Sequence, residues 1–243
     1  MKAVLTGHSR GLGAAILDAL RARGVPVLAL ARSRRDLPHD SGDITQVCLD
    51  LCDTAALADW LTGETLCHFL AGCDRVLLIN NAGTLGPVHP LGAQGAGRIA
   101  PALALDIAAP LMLADALVAA SPQARERRIL HVSSGAAQTP YAGWSIYCAS
   151  KAALDQHARA AALDAPAGTR IVSVAPGVVD TAMQAEIRAT PSENFPQKAR
   201  FEALARDGLL SSPADCARRL LDYLLSEAFG TQPVVNLRDV PDR

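Results

Sequence analysis

The sequence predicts an α/β fold, a doubly wound and mainly parallel seven-stranded sheet flanked by helices. Three observations carry this. Short apolar runs alternate with amphipathic stretches of helical period, the pattern of βαβ units. A glycine-rich turn, TGHSRGLG at residues 6–13, joins the first apolar run to the first helical one. The 243 residues are enough for one large core, so residues 1–243 read as a single domain.

Taken in order, the first strand is expected at residues 2–6, where the chain enters an apolar run directly and shows no leader pattern. Gly7, Gly11 and Gly13 then open a helix at 12–23. A second strand at 26–31 runs into Ala31 and Arg32, and a third at 46–50 ends in Asp50 and Leu51. Helix 53–62 leads to strand 75–80 and the sequence NNAG at 80–83. A long apolar helix at 98–120 contains Asp106 and Pro110. Strand 128–133 delivers Ser134, and helix 147–164 begins with Tyr147 and Lys151. Strand 170–175 ends in PGVVDT at 176–181. The stretch 184–212, with Pro191 and Pro196, breaks the rhythm as a mobile loop over a site would. Helix 213–226 and a last strand near 233–237 complete the pattern.

Composition narrows the function. A net charge of −1 and a sequence pI near 6.6 give no general field for nucleic acid or anionic membrane. The clusters at 32–35 and 125–128 read as solvated loops, Arg32 excepted. No stretch of eighteen residues is free of charged and polar groups, so no bilayer span is expected. Six cysteines without a C-x-x-C pair and six scattered histidines indicate no metal site and no redox dithiol. Reduced, mostly buried thiols in a cytoplasmic protein are the expectation.

Glycine is needed where a chain turns sharply and where backbone must approach a pyrophosphate, while a new helix aims free N–H groups at the anion. Gly7, Ser9, Arg10, Gly11, Leu12 and Gly13 therefore form a candidate phosphate cradle, although a glycine-rich turn can also be only a turn. At the end of the second strand an acid would grip ribose hydroxyls. Ala31 stands there instead, followed by Arg32, and with Arg10 this suits a ribose phosphate, hence NADP(H) rather than NAD. Asp50 could accept from an adenine amine and Leu51 cover its ring, with Asn81, Ala82 and Gly83 at the next strand end. As bare residues these could equally be turn formers.

Tyr147 and Lys151 lie four apart, which places phenol and ammonium on one helix face. A free tyrosine titrates near pH 10, so exchanging its proton near neutrality requires a neighbouring positive charge. The TGHSRGLG loop, NNAG, the HVSSG run with Ser134, Tyr147 with Lys151, and PGVVDT stand in the order and spacing of one family. The chain resembles a short-chain dehydrogenase/reductase over nearly its whole length. The resemblance implies a Rossmann fold. It implies that Ser134 binds the substrate carbonyl, Tyr147 donates the proton, and Lys151 holds the nicotinamide ribose and lowers the tyrosine pKa. Thr181 and the backbone of residue 178 would hold the carboxamide, with Pro176, Gly177 and Val179 also binding the cofactor.

Where many members of that family carry a helical asparagine that anchors a relay water, this chain has Asp106. Pro110, four residues on, cannot donate to the Asp106 carbonyl, so a bent helix and a free acceptor for that water are expected there. A proline kink serving packing alone is the competing reading. The runs 140–147 and 178–188 look most like sepiapterin reductases and the bacterial and yeast benzil reductases. On that resemblance Tyr141, Trp144 and Met183 line the substrate side. An acid that grips pterin in sepiapterin reductases is replaced by Asn236, which disfavours a pterin and prefers an aromatic or vicinal diketone. A non-catalytic NADP-binding sensor and a sepiapterin reductase remain the alternatives. Excess apolar surface on helices 98–120 and 147–164 suggests a homodimer or homotetramer.

Overall fold

The computed structural model describes residues 1–37 and 42–241. Seven strands form one sheet: β1 (Lys2–Thr6), β2 (Val27–Ala31), β3 (Ile44–Cys48), β4 (Arg75–Asn80), β5 (Glu126–Val132), β6 (Thr169–Ala175) and β7 (Val234–Asn236). Their order is β3-β2-β1-β4-β5-β6-β7, and every pairing is parallel, where the sequence suggested only a mainly parallel sheet. Buried aliphatic runs such as VLALA in β2, buried at all five positions, are what a parallel sheet covered on both faces requires. The order reverses at β1, between β2 and β4. A crevice therefore opens at the carboxyl ends of β1 and β4, where ligands bind in such sheets.

The helices are α1 (Gly11–Ala22), α2 (Thr54–Thr62), α3 (Thr65–Leu70), α4 (Ala96–Leu103), α5 (Ala109–Ala119), α6 (Ser145–Asp164), α7 (Ala182–Ala189), α8 (Lys198–Arg206) and α9 (Pro213–Leu225). One sheet face packs on α1 and α9 through Ile16, Leu17, Leu20, Leu220 and Leu224. The other packs on α2, α3, α5 and α6 through Leu57, Leu66, Leu113, Leu117 and Ala158. Each such leucine or isoleucine, withdrawn almost wholly from water, contributes about 1.5–3 kcal/mol of transfer free energy. Helix starts follow local chemistry. Asp53 accepts the Ala56 N–H at 2.9 Å to cap α2, and Ser212 accepts the Asp215 N–H at 3.0 Å ahead of Pro213 in α9.

Several expectations need correction. β3 begins two residues earlier than expected, because the Val27 N–H bonds the Asp43 carbonyl at 2.9 Å and starts the pairing there. The 184–212 stretch is not structureless: it holds most of α7 and all of α8, drawn down by Ile187, Phe195 and Phe201 onto Trp144. Helix α3 was not foreseen. The 125–128 cluster is no solvated loop, since Arg127 and Arg128 are buried in β5. Arg128 donates to the Leu224 and Ser226 carbonyls at 2.7 Å, satisfying the end of α9, while Arg127 reaches Ser121. All six cysteines are free, yet only Cys216 is buried. The 96–119 helix has 24 residues, with an 18-residue stretch at mean hydropathy 1.9, and is long and apolar enough to cross a bilayer by length and composition. It nonetheless flanks the sheet, with Ala109, Leu113 and Leu117 in the core.

Candidate active site

At the β1 end, Gly7 and Gly11 take φ of +72° and +57°, the left-handed region that favours glycine. A Cβ on Gly13 would lie 2.0 Å from the Gly7 carbonyl oxygen, so only glycine lets α1 start this close to the loop. Thr6 and Asn81 hold the loop. The Thr6 hydroxyl accepts the N–H groups of Asn81 (3.0 Å) and Ala82 (2.9 Å), and the Asn81 amide donates to the Thr6 and Gly7 carbonyls at 3.0 and 3.2 Å. The start of α1 has no side-chain cap and no acid in its first turn, leaving its N–H groups for an anion. Arg10 and Arg32 are exposed beside it, and their guanidiniums bond no other described residue. Arg35, by contrast, is held by Asp18 at 2.9 Å. Leu51 is buried at this end, whereas Asp50 accepts the Cys52 N–H at 3.0 Å and so acts as a turn former while facing the cavity. The loop, the helix start and the unpaired guanidiniums fit a dinucleotide.

At the β5 end, Ser134 caps a short 3₁₀ turn, its Oγ accepting the Ala136 N–H at 3.1 Å. Helix α6 brings Tyr147 and Lys151 opposite, both almost wholly buried. Lys151 Nζ lies 5.6 Å from the Tyr147 ring centre and donates to the Val132 carbonyl at 3.1 Å. Burial holds the Tyr147 hydroxyl above the ordinary tyrosine range. Lys151 and a hydrogen bond from Ser134 pull it down, while Asp106 and Cys148 push it up further. Lys151 thus pulls the phenol downward, but desolvation of the phenolate outweighs one ammonium in the protein alone.

Asp106 lies behind the cavity wall, 2% exposed, accepting the Thr84 N–H at 2.9 Å. Its Oδ1 and Lys151 Nζ converge on Gly83, where a Cβ would stand 3.2 and 3.4 Å from them. Burial pushes the Asp106 carboxyl up, against the pull of Lys151 and Thr84. The helix is irregular here: a π-turn, Ala104–Ala108, separates α4 from α5, in line with the bend expected from Pro110. Two supports were not foreseen. Asp155, one turn beyond Lys151, accepts the Ser133 and Ser173 hydroxyls at 2.8 and 2.7 Å and ties α6 to β5 and β6. The i+4 spacing from Lys151 was the signal available for it. The Asn80 amide, bonded to the Pro110 carbonyl at 3.2 Å, ties β4 to the bend.

At the outer end, Trp144 stacks on Phe195 at 4.4 Å, meets Tyr147 edge-on at 5.4 Å, and touches Tyr141 at 5.1 Å. Thr181 precedes α7 without a side-chain cap bond, and Val179 is pinned by a parallel bridge to Ser211. One cavity of about 650 Å³ unites these ends. It is lined by every residue expected to bind cofactor or substrate, and of the expected catalytic residues only Asp106 stands outside its lining. Arg200, Phe201 and Arg238 also line it and were missed, because they come from α8 and from beyond β7, far along the chain.

The family model for short chain dehydrogenase matches residues 1–192. The chain is 34% identical over 228 residues to a benzil reductase ((S)-benzoin forming) of Bacillus subtilis, covering 91% of this chain and 92% of that one. It is 32% identical over 252 residues to the sepiapterin reductase of Mus musculus, covering 97% and 96%. Among solved structures, a short-chain dehydrogenase/reductase from Burkholderia vietnamiensis is 45% identical, covers 98% of this chain and 99% of its own, and superposes with a TM-score of 0.69.

Proposed function

Because the chain belongs to the short-chain dehydrogenase family, and is thus an oxidoreductase acting on CH–OH or C=O groups with a nicotinamide cofactor, we propose that it is an NADPH-dependent carbonyl reductase. Its substrates are ketones or diketones of the benzil type. The observation that carries this is the meeting of Ser134, Tyr147 and Lys151 in the same cavity as the glycine loop and the unpaired Arg10 and Arg32. The two arginines favour a ribose phosphate, which an acid at the end of β2 would repel.

The glycine loop, Arg10, Arg32, Asn81, Lys151 and Thr181 would hold the cofactor, which supplies the hydride. The Ser134 hydroxyl donates to the carbonyl oxygen and polarises it. Tyr147 gives that oxygen its proton as negative charge develops there. A phenol held above the ordinary tyrosine range stays protonated at neutral pH, the state a proton donor needs. Lys151 steadies the phenolate left behind, from 5.6 Å at the ring centre. The aromatic wall of Trp144, Phe195 and Tyr141 keeps water from the carbonyl and offers a flat surface to an aryl group.

Self-association follows from the helices. Leu103, Ile107 and Leu111 remain half-exposed on the 96–119 helix, and Ala149, Ala160 and Leu163 are exposed on α6. A dimer or tetramer burying these stripes is proposed. Six free thiols suit a reducing compartment such as the cytoplasm.

The test follows NADPH and NADH absorbance with benzil, small diketones, aromatic ketones and sepiapterin, with Tyr147→Phe in parallel. Turnover should favour NADPH and a diketone, and should fall by about 10²–10⁴-fold in the variant. Tight NADPH binding with no turnover on any carbonyl would instead indicate a sensor.

A further inference from the structure

We propose that the outer end of the cavity is built for an anionic substrate, a ketone that carries a carboxylate away from its reacting carbonyl, with Arg238 as principal anion contact and Arg200 as its helper. This rests on the carbonyl reductase reading and names the substrate class within it. Arg238 stands on the 3₁₀ turn Leu237–Asp239 after β7, and its side chain lines the cavity. Its Nε and Nη2 lie 3.1 and 3.6 Å from where a Cβ would stand on Gly177, so the guanidinium rests against the backbone that leaves β6. Its backbone N–H bonds the Asn236 side chain at 3.1 Å, but its guanidinium bonds no described residue. Asn236 matters here. A carboxylate at that place would neutralise Arg238, whereas the amide fixes the turn and leaves the charge unspent.

Arg200 reaches the same cavity from α8. Its Nη1 donates to the Tyr141 hydroxyl at 3.3 Å and its Cζ lies 6.0 Å from that ring, so the aromatic wall itself holds it in place. Among the described residues, eight other arginines pair with carboxylates, and neither Arg200 nor Arg238 does. Among the described residues Glu186 is the one acid lining this end, is exposed, and forms no ion pair with either. Two guanidiniums on separate elements of one cavity, Arg200 against the aromatic wall and Arg238 against Gly177, offer an aryl keto acid charge-assisted hydrogen bonds near a stacking surface. In turnover the carbonyl carbon takes the hydride that NADPH loses and its oxygen takes one proton from Tyr147. The carboxylate is unchanged and the product is a hydroxy acid with NADP⁺.

The experiment compares 3-benzoylpropionate with its methyl ester, and 4-benzoylbutyrate with its methyl ester. Within each pair the reacting ketone is the same and the charge differs. The ratio of kcat/KM for acid over ester is measured in the unaltered protein, in Arg238→Met and in Arg200→Met, at low and at raised salt. The expected ratio is about tenfold or more in favour of the acid, the order of one charge-assisted hydrogen bond. It should shrink with salt and collapse in Arg238→Met, while the KM for NADPH holds. Comparing acid with ester within each variant removes any general loss of folding or activity. A ratio near one in the unaltered protein, or one that Arg238→Met leaves intact, would overturn the proposal. Calorimetric titration of the same pairs onto the NADPH-bound protein reads the preference without turnover. Charge-dependent binding lost in Arg238→Met, with no reduction of any ketone, would sink the reductase reading and leave the anion site standing.

Discussion

At the scale of single residues, Asp106 distinguishes this site. An asparagine there would be neutral; a carboxyl beside Lys151 opposes the charge that Tyr147 would develop in the proposed reaction, and it pushes the phenol up along with burial. Asp106→Asn should therefore let phenolate form at lower pH. In the direction of alcohol oxidation, where Tyr147 must start deprotonated, the rising limb of the pH–kcat profile should move to lower pH. A profile that stays in place would show that the carboxyl does not couple to the phenol. The folded carboxyl holds its proton to higher pH than the unfolded one, so stability is lost as pH rises through that window. The asparagine variant should be the more stable at pH 7. The i+4 pairing of Tyr147 with Lys151 was legible in the sequence, because it depends on helical period alone. The net direction of the tyrosine's titration was not, since desolvation depends on what the rest of the chain packs around it.

At the scale of elements, a buried polar chain links four of them. The Pro110 carbonyl can only accept, so the Asn80 amide donates both to it, at 3.2 Å, and to His131 Nδ1, at 3.1 Å. His131 Nε2 must then carry the hydrogen and donate to His157 Nδ1 at 3.1 Å. This ties β4, β5, α5 and α6 together near Tyr147 and Lys151, and it requires neutral imidazoles. Burial, with His157 and Lys151 nearby, depresses His131 to about 3. The unfolded chain binds a proton near the ordinary value of about 6.5, so stability is lost as pH falls from there toward about 3. The loss from this one group is about 1.4 kcal/mol per pH unit. His131→Gln should be less stable at pH 7, and its gap from the unaltered protein should narrow as unfolding is followed down to pH 4.5. A gap independent of pH would remove the argument. The sequence placed His131 within a strand, but not what it faces. Likewise the rhythm of 184–212 looked irregular because α7 and α8 are short and owe their order to Phe195 and Phe201 meeting Trp144, a contact across some fifty residues.

At the scale of the whole molecule, the partly exposed apolar stripes on the 96–119 helix and on α6 are a surface that self-association would cover. Ala153, near the middle of α6 and partly exposed, belongs to that stripe, and Ala153→Glu would bury a charge in any interface formed there. The protein should sediment as a dimer or tetramer, and the variant should sediment as a smaller species at the same concentration. A monomer before substitution would disprove the interface. The sequence alone determined the strands, the order of the motifs and the family. Each of these rests on local periodicity, on glycines with steric duties, and on spacings within one turn or one strand. Only the tertiary structure decided which charges are spent and which are free. Arg128 is spent on the end of α9 and Arg127 on Ser121, Arg35 pairs with Asp18, and Arg10, Arg32, Arg200 and Arg238 are left facing one cavity. The reason is physical: an arginine's role is set by which acceptors come within about 3 Å of it, and those acceptors lie far away along the chain.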